Sequence, residues 1–263
     1  MNIAIAGYGY VGKAIESALQ DHYKVSIVDP AFNKNTIKDI KPDAVIICVS
    51  TPQGKDGKCD VSNVIQVINE TSIRVPVLIK STISLEGWKE IQKTKASLRI
   101  TFSPEFLRAR TAIEDFKSQK FMYLSQVPRK IDYFGRGNVF WKEIFLKVNP
   151  DLVFKEYGAK ELILAKYFRN SFLATKVSFF NQIFDLCEEI GTDYETVRRV
   201  VTDDSRIGEG HSVVTKERGY KGHCLPKDAK AIVKTAEDSN TNLSIIKEVI
   251  SYNKKIRIDK SKI

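Results

Sequence analysis

The sequence has few of the residues that bind transition metals or form disulfides. It contains four cysteines and three histidines, no two cysteines have the CxxC spacing, and the histidines are dispersed. A metal site and a disulfide-stabilised secreted scaffold are therefore not expected. We expect thiols in a reducing compartment. Cys48 falls in an apolar run, Cys59 in a polar loop and Cys187 in a helical pattern.

Long apolar runs are also absent. No segment approaches the ~20 apolar residues that cross a bilayer, and the N-terminus (MNIAIAG) resembles a first strand rather than a signal peptide. We expect a cytoplasmic protein without membrane insertion. The net charge of +10 favours an anionic partner. Nucleic acid is not expected, because the lysines are scattered and no recognised binding motif is present.

The first half of the chain alternates short β-rich runs with helical stretches, which is typical of a parallel sheet with crossover helices. The predicted strands are 3–6, 24–29, 43–49, 75–80, 98–102 and 121–125. This pattern predicts an α/β fold, with a Rossmann-like doubly wound parallel sheet in residues 1–155 followed by an all-helical domain in residues 156–263.

In the second half, residues 159–190 form one helical pattern without proline, and Gly191 is placed to end it. Shorter helices are predicted at 194–201, 227–237 and 243–255. Because the long helix is apolar on more than one face, we expect burial on both sides, either in the domain core or partly in a dimer interface.

A dinucleotide-binding pattern, GYGYVG, occupies residues 7–12 between a predicted strand and a helix. Gly7 allows a tight turn, Gly9 lets the backbone approach a pyrophosphate, and Gly12 lets the helix pack closely on the strand. Asp29 ends the next strand, where its carboxylate accepts ribose hydroxyls and repels a 2′-phosphate, so NAD is favoured over NADP. Further expected cofactor contacts are Tyr10, Val11 and Lys34.

Cys224 stands in the segment GHCLPKD, residues 222–228. A helix predicted to start near Pro226 would direct N–H groups toward the thiol, and Lys227 would add positive charge. Both favour a nucleophilic thiolate. The alternative is a buried structural cysteine. Together with a nicotinamide site, a presented thiol indicates oxidation through a covalent sulfur intermediate.

Lys166 and Asn170 lie four residues apart and share one helix face. An ammonium beside an amide can stabilise an oxyanion. On its own such a pair is more often solvated surface. Its position within an otherwise apolar helix favours burial and a role.

Several segments occur in an order that resembles the UDP-glucose 6-dehydrogenase and GDP-mannose dehydrogenase family over nearly the whole chain. They are 49–52 (VSTP), 56–60 (DGKCD), 80–83 (KSTI), 103–108 (SPEFLR), 166–176 (KYFRNSFLATK), 204–208 (DSRIG) and 222–228. The resemblance implies a four-electron oxidation of a sugar C6 alcohol to a carboxylate with two NAD, through a thiohemiacetal and a thioester that water hydrolyses.

The resemblance also implies roles for individual residues. Cys224 is the nucleophile, and Lys166 and Asn170 stabilise the oxyanion. Asp228 holds water or assists proton transfer, and Glu105 acts as acid–base. Thr82 assists the acid–base step, and Thr51 and Thr82 contact the cofactor. Phe106, Leu107 and Gly222 line the sugar-nucleotide pocket. Arg206 reaches across a homodimer toward the substrate.

The chain departs from the family pattern in three places. Ala109 stands where the family often has a second glutamate, and GYKGHC at 219–224 replaces the usual Gly-Phe-Gly-Gly-Ser-Cys. The family's third, nucleotide-binding domain has no counterpart in this sequence. Two alternatives therefore stay open: a β-hydroxyacid or 6-phosphogluconate-type dehydrogenase, and a non-catalytic protein that binds NAD or a nucleotide sugar. UDP-glucose is the favoured substrate, with GDP-mannose and UDP-N-acetyl sugars as alternatives.

Overall fold

A computed structural model describes residues 1–54, 59–94, 99–126, 138–222 and 224–258. The chain forms two compact units, Met1–Lys166 and Tyr167–Ile263. The boundary expected after residue 155 precedes a long helix, whereas the compact units divide inside that helix. Part of the DGKCD segment, His223 and the first residue of the fifth predicted strand lie outside the described residues.

A five-stranded parallel sheet organises the first unit, as the sequence predicts. Its strands are β1 (Asn2–Ala6), β2 (Lys24–Val28), β3 (Ala44–Ile47), β4 (Val77–Ile79) and β5 (Ile100–Phe102). The order across the sheet is β2-β1-β3-β4-β5. Strands β3 and β4 are buried along their whole length, because a parallel sheet is covered on both faces. The strand order reverses between β1 and β3, which is where such sheets bind ligands at their carboxyl ends.

Six helices accompany this sheet among the residues that the structure describes. They are α1 (Tyr10–Leu19), α2 (Ile37–Ile40), α3 (Ser62–Glu70), α4 (Leu85–Gln92), α5 (Ala112–Ser118) and α6 (Val139–Val148). Of these, only α1 was specified from the sequence. The core packs Ile3, Ile5 and Leu19 against Trp141 and Phe145, which come from α6.

A small second sheet closes the first unit. The predicted strand β6 (Phe121–Ser125) pairs in parallel with β7 (Val153–Tyr157), which the sequence did not reveal. The Asn138 side-chain amide donates through Nδ2 to the Ser125 carbonyl of β6 at 2.9 Å. Its Oδ1 accepts a hydrogen bond from the Thr101 hydroxyl of β5 at 3.0 Å. One buried amide therefore ties the small sheet to the large one.

Among the described residues of the second unit, every regular element is a helix, and turns and loops connect these helices. The elements are α7 (Ala159–Ile190), which begins in the first unit, α8 (Tyr194–Thr202), α9 (Cys224–Asp238) and α10 (Ser244–Ile258). The bounds of α7 match the prediction. Gly191 ends it with φ +68°, and the Thr192 N–H bonds the Cys187 carbonyl at 2.8 Å. In the described part of the chain, no helix has the length and hydropathy to span a bilayer.

The prediction that α7 is buried on both sides is wrong for the single chain. One face packs inward through Ala174, Phe180 and Cys187. The opposite face leaves a row of large apolar side chains between 44% and 68% exposed. This outer stripe consists of Phe168, Phe172, Phe179, Leu186 and Ile190. An apolar pattern shows that a face avoids water, but it does not show whether the same chain covers it.

Candidate active site

The glycine loop after β1 has the shape of a dinucleotide cradle. Gly7 has φ +95°, and a Cβ there would lie 2.5 Å from the Cys48 carbonyl carbon, while a Cβ at Gly12 would overlap the Gly7 carbonyl oxygen. A Cβ at Gly9, in contrast, would meet nothing within 4 Å. Two glycines are therefore required by the protein's own packing, whereas Gly9 borders open space, which leaves its backbone accessible.

The N-terminus of α1 adds the electrostatics that an anion needs. Gly9 is the N-cap and provides no side-chain cap, and the first turn carries no acidic residue. The first N–H groups of a helix lack internal acceptors and carry partial positive charge. Tyr10 and Val11 open this turn, as expected for cofactor contacts, with Tyr10 exposed and Val11 half-buried.

Asp29 follows β2 beside the glycine loop. One carboxylate oxygen accepts the Tyr8 N–H at 2.6 Å, and the other accepts the Ala31 N–H at 2.8 Å. The carboxylate that was expected to bind the ribose is therefore held against the loop. Lys34, a weaker expectation, is exposed on the surface after it.

Glu105 lies at the carboxyl edge of the sheet and is buried. Its Oε2 lies 2.9 Å from Lys80 Nζ, and its Oε1 accepts the Phe106 N–H at 2.7 Å. The sequence did not indicate a role for Lys80. Its contact with Glu105 follows from the pairing of β4 with β5, because Ile79 pairs with Phe102 and the next residues, Lys80 and Ser103, are therefore neighbours.

The two threonines expected at the cofactor are joined to each other. Thr51 Oγ1 donates to the Thr82 carbonyl at 2.7 Å. Cys59 was expected in a polar loop but is buried, and its Sγ donates to the carbonyls of Thr51 at 3.7 Å and Thr82 at 3.6 Å. This thiol fastens two loop segments together.

Lys166 is buried in α7, as expected. Its ammonium donates to the Glu105 backbone carbonyl and lies 5.2 Å from the centre of the Phe106 ring. Phe106 is half-buried and meets Tyr123 edge-on at 5.7 Å. Leu107, expected in the substrate pocket, packs against the core of the first unit.

In the second unit, Cys224 is the first residue of α9. The expected helix start near Pro226 is wrong by part of a turn. Proline is tolerated there because the N–H groups of a first helical turn have no internal acceptor. Gly222 precedes the thiol with φ +89°, a conformation that favours glycine.

A buried amide–carboxylate pair lies one turn farther along α9. Asp228 is 1% exposed, its Oδ2 accepts from Asn170 Nδ2 at 2.6 Å, and its Oδ1 lies 2.9 Å from Lys227 Nζ. The positive charge expected from Lys227 near the thiol is therefore shared with Asp228. The structure does join two predicted residues, Asn170 and Asp228, that are far apart in sequence.

The cysteines differ in accessibility. Burial raises the pKa of the Cys48 thiol to about 12, with Lys80 opposing this effect and Glu105 adding to it. Cys59 and Cys187 are buried, whereas Cys48 and Cys224 are both half-buried. Of the two half-buried cysteines, Cys48 has the raised thiol pKa, which disfavours its reactive thiolate form.

Arg206 lies on a loop between α8 and α9, where its side chain is 87% exposed and pairs with Asp204 at 2.5 Å. Lys176 of α7 holds this loop by donating to the carbonyls of Ile207 and Gly208, both at 2.7 Å. The reach of Arg206 toward a second subunit stays a prediction.

Comparisons with known proteins give two matches to one family. Residues 32–122 match the UDP-glucose/GDP-mannose dehydrogenase family, NAD binding domain, and residues 161–255 match the family's central domain. The first match confirms the prediction that NAD is the cofactor.

Individual relatives agree. UDP-glucose 6-dehydrogenases of Rhizobium meliloti and Rickettsia felis are each 34% identical, over 80% and 81% of this chain and 50% and 48% of theirs. The chain thus spans about half the length of these relatives. A UDP-glucose dehydrogenase structure from Pyrobaculum islandicum covers 96% of this chain and 68% of its own, at TM-score 0.81 and 24% identity. This last likeness shows the fold.

Both matches fall in the order that the sequence motifs predict, and together they include Glu105, Lys166, Asn170 and Cys224. The chain belongs to the UDP-glucose/GDP-mannose dehydrogenase family.

Proposed function

We propose that this protein oxidises the C6 alcohol of a nucleotide sugar to a carboxylate, with UDP-glucose as the favoured substrate. The observation that carries the proposal is the start of α9, where a half-buried Cys224 is followed one turn later by a carboxylate that Asn170 holds at 2.6 Å. A dehydrogenase that stops at the ketone or aldehyde needs no thiol. The open space beside Gly9 supports NAD as cofactor.

Cys224 acts as the nucleophile. NAD, when bound, accepts one hydride in each of two oxidation steps. The Cys224 thiolate bonds to the C6 aldehyde carbon to give a thiohemiacetal, and the second oxidation turns the same bond into a thioester. Water then cleaves the carbon–sulfur bond, which yields the carboxylate and restores the thiolate.

Polar groups supply the remaining roles. Lys166 and Asn170 stabilise negative charge on the sugar oxygen, in positions one turn apart on α7. Asp228 orients the hydrolytic water, and Glu105 exchanges protons with it. Both carboxylates are buried, where an oriented charge has a stronger effect than in water.

The test is the number of NADH formed per UDP-glucose by wild type, Cys224→Ala and the control Cys187→Ala. Two NADH per sugar, lost in Cys224→Ala and kept in Cys187→Ala, support the proposal. One NADH unaffected by Cys224→Ala indicates a β-hydroxyacid-type dehydrogenase. Binding of NAD or UDP-glucose without turnover indicates a non-catalytic protein.

We propose in addition that two copies of the chain associate through the outer stripe of α7. Exposed patches of this kind mark interfaces, and burying each large apolar side chain contributes about 1.5–3 kcal/mol. Phe172→Asp should convert a dimer into a monomer in sedimentation, whereas Ile73→Asp, which changes an equally exposed side chain elsewhere, should not. A monomeric wild type would refute the proposal.

The proposed chemistry also favours one type of compartment. All four cysteines are present as thiols, and the proposed reaction needs the Cys224 thiolate. We therefore propose a reducing, cytoplasmic location.

A further inference from the structure

Lys80 is a buried ammonium that the proposed mechanism does not use. It follows β4 directly, and its side chain is only 2% exposed. Its Nζ lies 2.9 Å from Glu105 Oε2 and donates to Ser103 Oγ at 3.1 Å. The charged end of this lysine is thus fixed inside the first unit.

The sheet itself determines where this ammonium lies. Strands β4 and β5 are parallel neighbours, and Ile79 pairs with Phe102. The Lys80 N–H bonds the Ile47 carbonyl at 2.8 Å, and the Ser103 N–H bonds the Ile79 carbonyl at 2.9 Å. The ladder therefore holds the backbones of Lys80 and Ser103, and the ammonium itself is held by its contacts with Ser103 Oγ and Glu105 Oε2.

Glu105 is constrained from two sides. Its Oε1 accepts the Phe106 N–H at 2.7 Å, and its Oε2 faces Lys80. Lys166 bonds the backbone carbonyl of the same residue. One carboxylate oxygen is therefore hydrogen-bonded, and the other lies within ion-pair distance of Lys80 without an aligned hydrogen bond, so Lys80 acts on this buried oxygen through its charge.

Stability alone does not account for this pair. Removing an ammonium and a carboxylate from water is costly, and well-packed apolar residues usually stabilise a core as well or better. This buried pair lies at the carboxyl edge of the sheet, and one of its members, Glu105, has a role in the proposed chemistry. A need for an oriented carboxylate explains the pair better than stability does.

We propose that Lys80 is a positioning residue that fixes the orientation of the Glu105 carboxylate and places an ammonium beside it. The catalytic consequence rests on the proposed function, in which Glu105 exchanges protons with the hydrolytic water. The positioning itself does not depend on turnover and can be measured separately.

The test compares Lys80→Met, Lys80→Arg, Glu105→Gln and the double variant Lys80→Met/Glu105→Gln in the full chain. Lys142→Met is the matched control, since Lys142 pairs with Glu156 at 2.6 Å with both side chains about one-third exposed. Crystal structures of the Lys80 variants should show the Glu105 carboxylate displaced with methionine and retained with arginine.

Unfolding in urea gives a second readout. The effects of Lys80→Met and Glu105→Gln on the unfolding equilibrium should fail to multiply, by about tenfold or more, because each single variant leaves a buried charge without its partner. The double variant removes both charges and should fold even where Lys80→Met is unstable. An unmoved carboxylate in Lys80→Met, or effects that multiply independently, would overturn the proposal.

The rate of turnover gives a third readout. Lys80→Met should lower kcat at least about tenfold, with the KM for NAD unchanged, and Lys80→Arg should recover most of the rate, because it restores the charge. Lys142→Met should match wild type. A wild type that forms no NADH would refute the proposed function, while the crystal structures and the unfolding cycle would still decide whether Lys80 positions Glu105.

Discussion

Gly9 and Gly12 offer a way to separate ligand binding from packing in the same loop. Each is changed to alanine, which adds one Cβ. At Gly9 this atom enters open space, with nothing within 4 Å, and the backbone has φ −74°, which alanine adopts readily. At Gly12 the Cβ overlaps the Gly7 carbonyl oxygen and lies 3.4 Å from Ile5 Cγ2.

The expected magnitudes differ accordingly. The overlap at Gly12 involves backbone, which cannot rotate away, so overpacking should cost near the upper end of about 1–3 kcal/mol. Alanine recovers about 1 kcal/mol in helix propensity, which leaves Gly12→Ala destabilised by about 2 kcal/mol. Gly9→Ala should cost less than about 1 kcal/mol, because alanine is a somewhat poorer N-cap than glycine.

Although Gly9→Ala should have little effect on stability, it should weaken NAD binding. If the pyrophosphate occupies the space beside it, the added methyl should raise the Kd for NAD at least about tenfold, or 1.4 kcal/mol. Urea unfolding and calorimetric NAD titration of both variants measure the two effects. Wild-type NAD affinity in Gly9→Ala would refute the assignment of this space to the cofactor, and wild-type stability in Gly12→Ala would refute the packing argument.

Three further predictions concern single groups. Because the pKa of Cys48 is about 12, its thiol stays protonated at pH 8, so iodoacetamide should modify Cys224 first, as peptide mass spectrometry would show; faster labelling of Cys48 would contradict this. The Arg108 guanidinium holds the pKa of the Asp115 carboxyl well below its usual range. The pair therefore stabilises the folded protein at pH values above the ordinary aspartate pKa. This stabilisation is lost as the pH falls toward the lowered pKa of Asp115. The Arg108 side chain is largely exposed, so Arg108→Gln should lower the free energy of unfolding in urea by at most about 1 kcal/mol at pH 7, and by less near pH 2. Equal losses at the two pH values would contradict this prediction. Tyr194 is buried and donates to a backbone carbonyl at 2.6 Å, so Tyr194→Phe should lower the unfolding free energy by about 1–2 kcal/mol, and an unchanged value would argue against that bond.

The parts of the fold that the sequence predicted best are those with one unambiguous pattern. Continuous apolar runs identified β3 and β4, which are buried on both faces, and the absence of proline identified α7. The strand β7 escaped because it is largely exposed, so burial imposes little pattern on it. The helices α3 and α4 were not specified, although α8, as short as α3, was predicted, so length alone does not explain the difference.

The candidate site shows the same division. Glycines and Cys224 were recognised because their chemistry is visible in the local sequence. The contact of Lys80 with Glu105 depends on which strands are neighbours, and the bond from Asn170 to Asp228 joins two helices. Such contacts are set by topology, which a single sequence specifies only indirectly.

Asp29 has a consequence for how a cofactor would be chosen. Two backbone N–H groups already hold its carboxylate, so no rotamer freedom is left to lose when a ribose binds. The same restraint prevents the carboxylate from swinging away from a 2′-phosphate. The preoriented Asp29 carboxylate would then discriminate between NAD and NADP. Its position is set before any ligand binds and does not depend on how tightly the rest of the cofactor is bound.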